Sequence, residues 1–266
     1  MATLGQRTYE LLTRMRPAPV AVALKKVLRI KRHIVETKIG RFCVDPASAF
    51  GVILAQHGEY EPQMSRTLER ILCTGSTFID IGANEGYFTV LGSKIVGVGG
   101  KVIAVEPQQR LKAILFENFK LNNLSNVSLI QSAISDNSGR AVLNLSADTN
   151  TGASGFVRAT KYKLPTEMTE TITLSELFSR IEVGRADLIK MDIEGAEYDA
   201  ILGSPQIFRD HRVRAIALEV HVSILEKRGV KAEKIFSFLK GYGYTVDNSF
   251  STLVYVAPTC SSAAWD

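Results

Sequence analysis

Short apolar runs alternate with longer amphipathic segments through most of the chain. Apolar runs rich in β-branched residues predict strands, and segments whose apolar residues recur three and four positions apart predict helices. Because the two kinds of segment alternate, we expect an α/β fold with a mostly parallel, doubly wound sheet. The predicted strands are residues 78–81, 101–105, 127–130, 141–145, 186–191 and 213–220, and the predicted helices are residues 87–96, 108–122, 174–180, 196–202 and 231–241.

The two ends of the chain depart from this alternation. Residues 244–247 and 252–257 are β-prone and flank four turn-type residues, which predicts an antiparallel hairpin at the end of the sheet. A helical pattern at residues 62–73 precedes the first central strand and indicates an N-terminal helical extension. We therefore divide the chain into a basic extension and cap at residues 1–74, an α/β domain at 75–258 and a tail at 259–266.

Positive charge is concentrated at the start of the chain. Residues 1–41 hold ten Lys and Arg against Glu10 and Glu36, giving +8, so a net charge of +5 leaves −3 for the remainder. Binding to a phosphate backbone needs a basic face near the active site, which argues against nucleic acid as a partner. Residues 20–35 interleave apolar and basic residues and predict a basic amphipathic helix. Such a helix either lies on an anionic membrane surface or packs its apolar face on the protein body.

Cysteine content and hydropathy indicate the cellular compartment in which the protein is expected. Cys43, Cys73 and Cys260 are odd in number and far apart, which fits neither a disulfide framework nor a zinc site. No apolar run reaches the length of about 18 residues that a spanning helix needs. Residues 1–16 lack the basic start and apolar block of a secretory signal. We expect a cytoplasmic protein, with peripheral contact at the inner membrane face if the basic helix binds lipid.

The apolar pattern lapses between residues 146 and 169. This segment includes Asp-Thr-Asn-Thr-Gly-Ala-Ser-Gly at residues 148–155 and is longer than an ordinary connection. Long loops in compact domains are usually functional or disordered. A flap that faces the substrate and a disordered loop are both open interpretations.

Residues 77–86, Thr-Phe-Ile-Asp-Ile-Gly-Ala-Asn-Glu-Gly, are typical of a nucleoside-binding turn. Gly82 and Gly86 remove side chains where the backbone passes close to a ligand, and Asn84 tolerates a positive φ. Asp80 would repel the pyrophosphate of a dinucleotide but accepts a hydrogen bond from an ammonium group. The spacing also differs from the Gly-x-Gly-x-x-Gly of nicotinamide and flavin binders. The turn therefore favours S-adenosylmethionine, which is cationic and lacks phosphate, over a tight turn without a ligand.

Acidic residues follow three further predicted strands. Glu106 ends the strand at 101–105, where a carboxylate can accept hydrogen bonds from both hydroxyls of a ribose. Asp192 follows the strand at 186–191, and Glu219 and His221 lie at the tip of the strand at 213–220. The three are expected to converge, because strand tips of an open sheet face the ligand crevice. They would supply a general base for an acceptor hydroxyl or ligands for a divalent cation, although no ligand spacing demands a metal.

The acids around Asp192 also have a structural interpretation. Glu194 and Glu197 precede or begin a predicted helix, where the helix dipole favours negative charge whatever the function. A histidine beside a carboxylate, as at Glu219 and His221, is often a structural hydrogen-bond partner. Both interpretations stay open for these four residues.

Together these motifs resemble the FkbM-type family of S-adenosylmethionine-dependent methyltransferases. The family pattern Phe-Ile-Asp-x-Gly-Ala-Asn-x-Gly-Tyr-Phe matches residues 78–88, Glu-Pro matches residues 106–107, and Lys-x-Asp-x-Glu-Gly-Ala-Glu matches residues 190–197. The resemblance covers roughly residues 45–257 and leaves out the basic N-terminal segment. It implies a class I, Rossmann-like methyltransferase fold.

The resemblance also implies roles for individual residues. Family members methylate hydroxyls on sugars, polysaccharides and secondary metabolites, so a small-molecule or glycan acceptor is expected. From their strand tips, and independently of the resemblance, Asp192 is expected beside the reactive end of the cofactor and, with Glu219 and His221, on the acceptor side. The implied cofactor-binding residues are Asp80, Gly82, Asn84 and Gly86 for the methionine part, Glu106 for the ribose, and Ser132 and Ala133 for the adenine edge.

The sequence is also compatible with three other functions. A nicotinamide-dependent oxidoreductase is disfavoured by Asp80 and by the glycine spacing, and a protein that binds the cofactor without catalysis is a second alternative. A methyltransferase acting on protein or nucleic acid is a third. The turn that contains Gly82, Asn84 and Gly86, called the glycine turn below, lies downstream of the basic segment. Removing residues 1–32 is therefore expected to leave cofactor binding unaltered. The sequence determines neither the acceptor, nor metal dependence, nor the oligomeric state.

Overall fold

The computed structural model describes residues 4–15, 18–157 and 165–258. The predicted tail at 259–266, with Cys260, and residues 158–164 of the long loop lie outside the described residues. The strands, in chain order, are β1 (His33–Glu36), β2 (Arg41–Val44), β3 (Thr77–Ile81), β4 (Lys101–Val105), β5 (Val127–Ile130), β6 (Ala133–Ile134), β7 (Gly139–Asn144), β8 (Thr166–Ile172), β9 (Ala186–Met191), β10 (Val213–Leu218), β11 (Thr245–Val246) and β12 (Leu253–Val256).

Helices follow most of the central strands. In the described part of the long loop, Thr151–Ala153 forms a 3-10 turn. The helices are α1 (Leu4–Arg14), α2 (Ala18–Val27), α3 (Ala49–His57), α4 (Pro62–Ile71), α5 (Tyr87–Val96), α6 (Gln109–Leu121), α7 (Leu174–Arg180), α8 (Glu197–Leu202), α9 (Pro205–Arg209), α10 (Val222–Lys227) and α11 (Glu233–Gly241).

A seven-stranded sheet of order β11-β12-β10-β9-β3-β4-β5 forms the centre of the fold. Its strands β10, β9, β3, β4 and β5 are parallel, whereas β12 pairs antiparallel with both β10 and β11. This confirms the α/β class, the mostly parallel doubly wound sheet and the terminal antiparallel hairpin. The strand order reverses between β3 and β9, which places the ligand crevice at the carboxyl ends of these two strands.

The core lies on both faces of this sheet. In β3, Ile79 and Ile81 pack into one apolar layer, whereas Phe78 packs into the opposite layer with Leu68 and Tyr87. Successive side chains of a strand point to opposite faces, so a strand covered by helices on both sides must be apolar at nearly every position. That requirement explains the continuous apolar runs that predicted the central strands.

Two predicted elements take different places in the structure. The strand expected at residues 141–145 belongs to a separate three-stranded sheet of order β6-β8-β7. Its residues pair antiparallel with β8, from Gly139 opposite Thr171 to Asn144 opposite Thr166. The pattern correctly predicted a strand, but an apolar run does not specify the partner strand, because its local propensity is the same in either sheet.

The helix expected at residues 20–35 is only partly correct. Helix α2 ends at Val27, Arg29 has a φ of 51° that breaks the helix, and His33–Glu36 forms β1. Residues 33–36 pair antiparallel with residues 41–44 of β2. The pairing satisfies backbone groups that a helix would have satisfied internally, so tertiary contact overrides the local pattern.

The N-terminal extension is attached to the α/β body. Asn118 Oδ1 accepts a hydrogen bond from the Cys43 amide at 2.7 Å, and Asn122 Oδ1 accepts one from the Arg41 amide at 3.0 Å. These contacts cross the predicted boundary between residues 74 and 75. The division of the chain into two domains at this boundary stays a prediction. No helix in the described part of the chain has the length and apolar character to cross a membrane.

Candidate active site

A cleft of about 1080 Å³, open to solvent, lies at the carboxyl ends of β3, β4, β9 and β10. This is where an open α/β sheet binds its ligands. The cleft collects most of the residues that the sequence predicted as functional. These are Gly82, Asn84, Glu106, Ser132, Ala133, Asp192, Glu219 and His221.

The turn after β3 has the conformation that its sequence predicts. Gly82, Asn84 and Gly86 have φ values of 83°, 48° and 87°. At Gly82 a Cβ atom would lie 1.9 Å from the carbonyl oxygen of Asp192, so only glycine fits between the two strand ends. Gly86 precedes α5 and begins its first turn in a left-handed conformation. The turn therefore needs its glycines both for φ and for close packing against β9.

Asp80 lies beneath the cleft rather than on its wall. It is fully buried, and the Thr89 hydroxyl donates a hydrogen bond to its Oδ2 at 2.6 Å. In the sheet Asp80 pairs with Lys190 of β9, whose Nζ lies 3.8 Å from Oδ1. Burial raises the pKa of Asp80, and Lys190 and Thr89 oppose that shift. This geometry gives Asp80 a supporting position and no direct contact surface for the predicted ammonium group.

Glu106 has the position expected of a ribose-binding carboxylate. Its side chain is almost fully buried, and it accepts hydrogen bonds from the amides of Asn84 at 2.9 Å and Gln108 at 3.0 Å. Burial raises the pKa of Glu106, whereas these two amides lower it. The two amide bonds fix the carboxylate at the cleft wall, and each oxygen keeps a second lone pair for a ligand hydroxyl.

Ser132 and Ala133 line the side of the cleft expected to face the adenine. The Ser132 hydroxyl donates to Glu170, so its side chain is already engaged. The adenine ring could therefore contact the backbone of Ser132 and Ala133 and the Ala133 methyl group.

The described part of the long loop packs against the glycine turn. The Thr151 hydroxyl donates to Asn84 Oδ1 at 2.8 Å, and Gln108 Nε2 donates to the Thr151 carbonyl at 3.2 Å. Gly152 and Phe156 line the cleft. Residues 146–157 therefore form part of the cleft wall, as the flap interpretation predicts for this portion.

Lys190 is the main cation of the cleft floor. Its ammonium group is almost fully buried, lies 3.6 Å from Asp192 Oδ2 and donates to the Gly82 carbonyl at 3.2 Å. A buried cation between Asp80 and Asp192 offsets the repulsion between two carboxylates at neighbouring strand ends. The sequence indicates Lys190 only as part of the motif at residues 190–197, because its register opposite Asp80 follows from the strand pairing.

His221 is held among carboxylates at the end of β10. Its Nδ1 bonds Glu197 Oε1 at 2.9 Å, and its Nε2 lies 3.7 Å from Asp192 Oδ1 and 3.6 Å from Glu194 Oε2. Glu197 is fully buried and also accepts the Gly195 amide at 3.1 Å. The predicted convergence therefore exists, although β10 ends at Leu218 and His221 is placed by the start of α10.

The charges around His221 shift the pKa values of the cluster. Burial alone would lower the pKa of His221, but the Glu197 hydrogen bond and the charges of Glu194, Glu197 and Asp192 raise it to about 9. Burial raises the pKa of Glu194 to about 7, with His221 opposing and the neighbouring carboxylates adding to the shift. At neutral pH the imidazole is therefore mostly protonated.

The same residues have the chemistry of a metal site. Asp192, Glu219 and His221 each offer one ligand atom, and these atoms lie within 4.8 Å of one another. Glu197 orients the imidazole through Nδ1, as carboxylates commonly do for metal-bound histidines. A divalent cation at this position stays an open alternative, as it was from the sequence, which did not indicate one.

Tyr60 and Glu61 are cleft residues that the sequence analysis missed. Both line the cleft, and Glu61 has a φ of 43° immediately before Pro62 begins α4. Burial raises the pKa of each, and Asp192 and Glu219 add to both shifts. No local pattern marks these two residues, because only the packing of α4 on the sheet brings them to the strand ends.

Comparison with known proteins identifies the family. The Methyltransferase FkbM domain matches residues 80–246. A comparison with curated proteins gives no match. A putative rRNA methylase structure from Clostridium thermocellum is 13% identical, with 73% of this chain and 93% of that chain covered and a TM-score of 0.48. A putative methyltransferase from Streptococcus mutans in complex with SAH is 12% identical, with 74% and 96% covered and a TM-score of 0.44.

The family assignment rests on the domain match alone. It includes the glycine turn, Glu106, the acidic cluster at 192–197 and His221, which the fold gathers at one cleft. Since the match spans more than half of the 266 residues, the chain belongs to the FkbM family of methyltransferases.

Proposed function

We propose that this methyltransferase uses S-adenosylmethionine to methylate a hydroxyl group of a sugar, polysaccharide or secondary metabolite. The observation that supports the proposal is a division of one cleft into two chemically different sides. Glu106, anchored by two backbone amides, lies at the end of β4, and the cluster of Asp192, Glu219 and His221 lies at the ends of β9 and β10. One side suits a nucleoside and the other suits proton transfer.

The donor set of the cleft fits S-adenosylmethionine. The Glu106 carboxylate can accept both ribose hydroxyls, and the Gly82 to Gly86 turn leaves backbone exposed where the amino acid part would lie. Asp192 is oriented by Lys190 at 3.6 Å and offers negative charge beside the expected position of the sulfonium. When bound, the cofactor supplies an electrophilic methyl group. The acidic lining disfavours a pyrophosphate in the same place.

The acceptor side favours a neutral, hydroxyl-rich molecule. The carboxylates of Glu61, Asp192, Glu194 and Glu219 all line it, with the phenol of Tyr60 nearby. Hydroxyl groups donate hydrogen bonds to carboxylates, whereas a phosphate backbone would be repelled by them. This charge argues against nucleic acid as the acceptor and supports a polyol or other hydroxylated metabolite.

His221 is the proposed proton acceptor. Its Nε2 faces the cleft between Asp192 and Glu194, while Glu197 holds Nδ1. As the oxygen–carbon bond forms and the carbon–sulfur bond breaks, the hydroxyl proton would pass to Nε2 of the neutral imidazole, which is the minor form at neutral pH because the pKa of His221 is raised. The remaining contribution of the site is alignment of the two substrates, which can supply about 7 to 11 kcal/mol.

The cofactor assignment predicts selective binding. We expect S-adenosylmethionine and S-adenosylhomocysteine to bind in the low micromolar range, about −8 kcal/mol, because both contain the ribose that Glu106 would hold. Isothermal titration calorimetry with a nicotinamide dinucleotide as the comparison ligand measures this. Tighter binding of the dinucleotide would overturn the proposal in favour of an oxidoreductase-type site.

Glu106→Ala is expected to weaken cofactor binding by about 1.5 to 3 kcal/mol through loss of charged hydrogen bonds. Glu117→Ala, which removes an exposed acid from α6, is the matched control and should leave the dissociation constant unchanged. A thermal melt of both variants separates a binding defect from unfolding. An unchanged affinity for Glu106→Ala would remove this residue from the ribose site.

Metal dependence is tested at Asp192. We expect Asp192→Asn to reduce methyl transfer more than cofactor binding, because in the proposed arrangement the carboxylate would lie beside the reacting atoms. If Asp192 acts only by orientation, EDTA leaves the wild-type rate unchanged. Loss of activity with EDTA, restored by Mg²⁺ or Mn²⁺, would instead assign Asp192, Glu219 and His221 as metal ligands.

The hydroxyl acceptor is tested by following a labelled methyl group. Incubation of the full chain with methyl-labelled S-adenosylmethionine and a panel of sugars, glycans and hydroxylated metabolites should give labelled O-methyl products. NMR of the product identifies the atom that carries the label. Label found on nitrogen, or on RNA or protein in parallel incubations, would contradict hydroxyl transfer. Tight cofactor binding with no transfer to any acceptor would favour the non-catalytic alternative.

A further inference from the structure

Helix α2 exposes three of its large apolar side chains. Its apolar side chains Val20, Leu24 and Val27 are 50%, 37% and 76% exposed. Positions four and three residues apart lie on one face of a helix, so these three form a continuous apolar stripe. The neighbouring side, about 100° around the helix, carries Ala21, which is fully buried, and Lys25, which pairs with the buried Asp45. The apolar face of the helix therefore points away from the protein body.

The exposed stripe continues into a basic segment. Leu28, directly after α2, is 50% exposed, and the side chains of Lys26, Arg29 and Lys31 are exposed around it. Residues 11–35 contain seven Lys and Arg and no Asp or Glu. Exposed apolar side chains bordered by cations, with no acid in the segment, complement a surface that is apolar beneath and negatively charged above.

We propose that this face, defined by Val20, Leu24, Val27 and Leu28 with Lys26, Arg29 and Lys31, docks on the surface of an anionic lipid bilayer. The apolar stripe would enter the boundary between headgroups and acyl chains while the cations contact anionic headgroups. A second copy of the chain fits less well, because a symmetric dimer through this face would bring two identical basic patches together. The bilayer offers both complementary properties at once.

The orientation of α2 is fixed by the rest of the extension. Within α2, Lys25 bonds Asp45 of the extension, and Arg32, directly after the exposed segment, pairs with Glu85 of the α/β body at 2.6 Å. Docking therefore needs no rearrangement of the fold, and the apolar stripe is presented in advance. Preorganisation of this kind lowers the conformational cost of binding.

Vesicle flotation with the full chain tests the proposal. We expect partitioning onto vesicles of equal parts phosphatidylcholine and phosphatidylglycerol, weak partitioning onto pure phosphatidylcholine, and release by high salt. Replacing Lys26, Arg29 and Lys31 by glutamine should lower the partition coefficient about a hundredfold. Leu24→Glu with Val27→Glu should lower it by at least about tenfold. Val98→Glu, at a residue 93% exposed between α5 and β4, is the matched control and should change nothing.

Two outcomes would overturn the proposal. One is equal partitioning of the wild type and the Leu24→Glu, Val27→Glu variant. The other is a dimer in light scattering that this variant converts to a monomer, which would assign the face to a second copy. Each variant substitutes only exposed side chains, so calorimetric binding of S-adenosylmethionine and the thermal melt are expected to match the wild type. Those controls keep a failure of membrane docking distinct from a failure of the cofactor site.

Discussion

Replacing Arg32 with alanine is expected to lower the free energy of unfolding by about 3 to 5 kcal/mol at neutral pH. The guanidinium donates two hydrogen bonds to Glu85, at 2.6 and 3.3 Å, and the Glu85 side chain is fully buried. Without Arg32 that carboxylate would be left buried without its charge partner. Urea denaturation monitored by circular dichroism measures the difference.

Two further variants separate this explanation from a general effect of losing an arginine. Arg32→Ala combined with Glu85→Gln removes the buried charge and should recover much of the lost stability. Arg41→Ala breaks the pair with Glu36, whose side chains are 50% and 77% exposed, and should cost about 0.5 kcal/mol or less. If Arg32→Ala lowered the free energy of unfolding by only about 0.5 kcal/mol, Arg32 would not be the residue that stabilises the buried Glu85 charge.

The defect of Arg32→Ala should also depend on pH. Burial raises the pKa of Glu85 above its usual value, and Arg32 opposes that shift. Removing Arg32 raises this pKa further, so the folded variant takes up a proton more readily than the unfolded chain. The variant should therefore be least impaired at low pH, and its deficit should grow as pH rises through the pKa of the buried acid. A deficit independent of pH would contradict this account.

Glu85 lies inside the glycine turn, so the effect of Arg32 reaches the cofactor site. The sequence alone suggested that residues 1–32 could be removed without changing cofactor affinity. The structure does not support that expectation, because the truncation deletes the partner of a buried acid between Asn84 and Gly86. We expect the truncated chain to bind S-adenosylmethionine more weakly, which calorimetry would detect.

His221→Ala is expected to reduce methyl transfer by about 10² to 10⁴ in rate, the usual cost of losing a general base. Cofactor affinity should change much less, because the imidazole lies on the acceptor side of the cleft. Initial rates on the acceptor, with calorimetric binding of S-adenosylmethionine alongside, separate the two effects. His211→Ala is the control histidine, since its Nε2 bonds the Tyr242 carbonyl at 2.9 Å outside the cleft.

The pH dependence of the rate distinguishes His221 from its acidic neighbours as the base. An imidazole can accept a proton only when neutral, so kcat should rise with pH until about pH 9, the pKa of His221. If the Glu194 carboxylate were the base, kcat would instead rise only until about pH 7, the pKa of Glu194. Full turnover by His221→Ala, or a profile that levels off near the Glu194 value, would exclude the histidine.

The conformation of the glycine turn and the position of Glu106 could be predicted from the sequence because both are determined locally. A turn that needs positive φ demands glycine or asparagine at Gly82, Asn84 and Gly86, and these residues stand within one short segment. Glu106 directly follows a continuous apolar strand, so its place at the sheet edge follows from strand length alone. The central sheet could be predicted for the same reason, since strands buried on both faces must be apolar at nearly every position.

Tertiary structure alone decided which groups meet across separate elements. Strand register places Lys190 opposite Asp80, which turns a predicted ligand contact into a buried support. The start of α10 turns His221 toward Glu197, and the packing of α4 brings Tyr60 and Glu61 to the cleft. These contacts join residues far apart in the chain, and no short sequence pattern encodes such distances.

The N-terminal segment shows the same division between local and tertiary information. Its sequence alone determined a basic, amphipathic character without acids between residues 11 and 35. Only the structure decided that the helix ends at Val27, that Arg32 is bound to Glu85 and that the apolar stripe faces outward. Amphipathicity fixes which residues share a face, but the choice between body and solvent depends on the surface against which the helix packs.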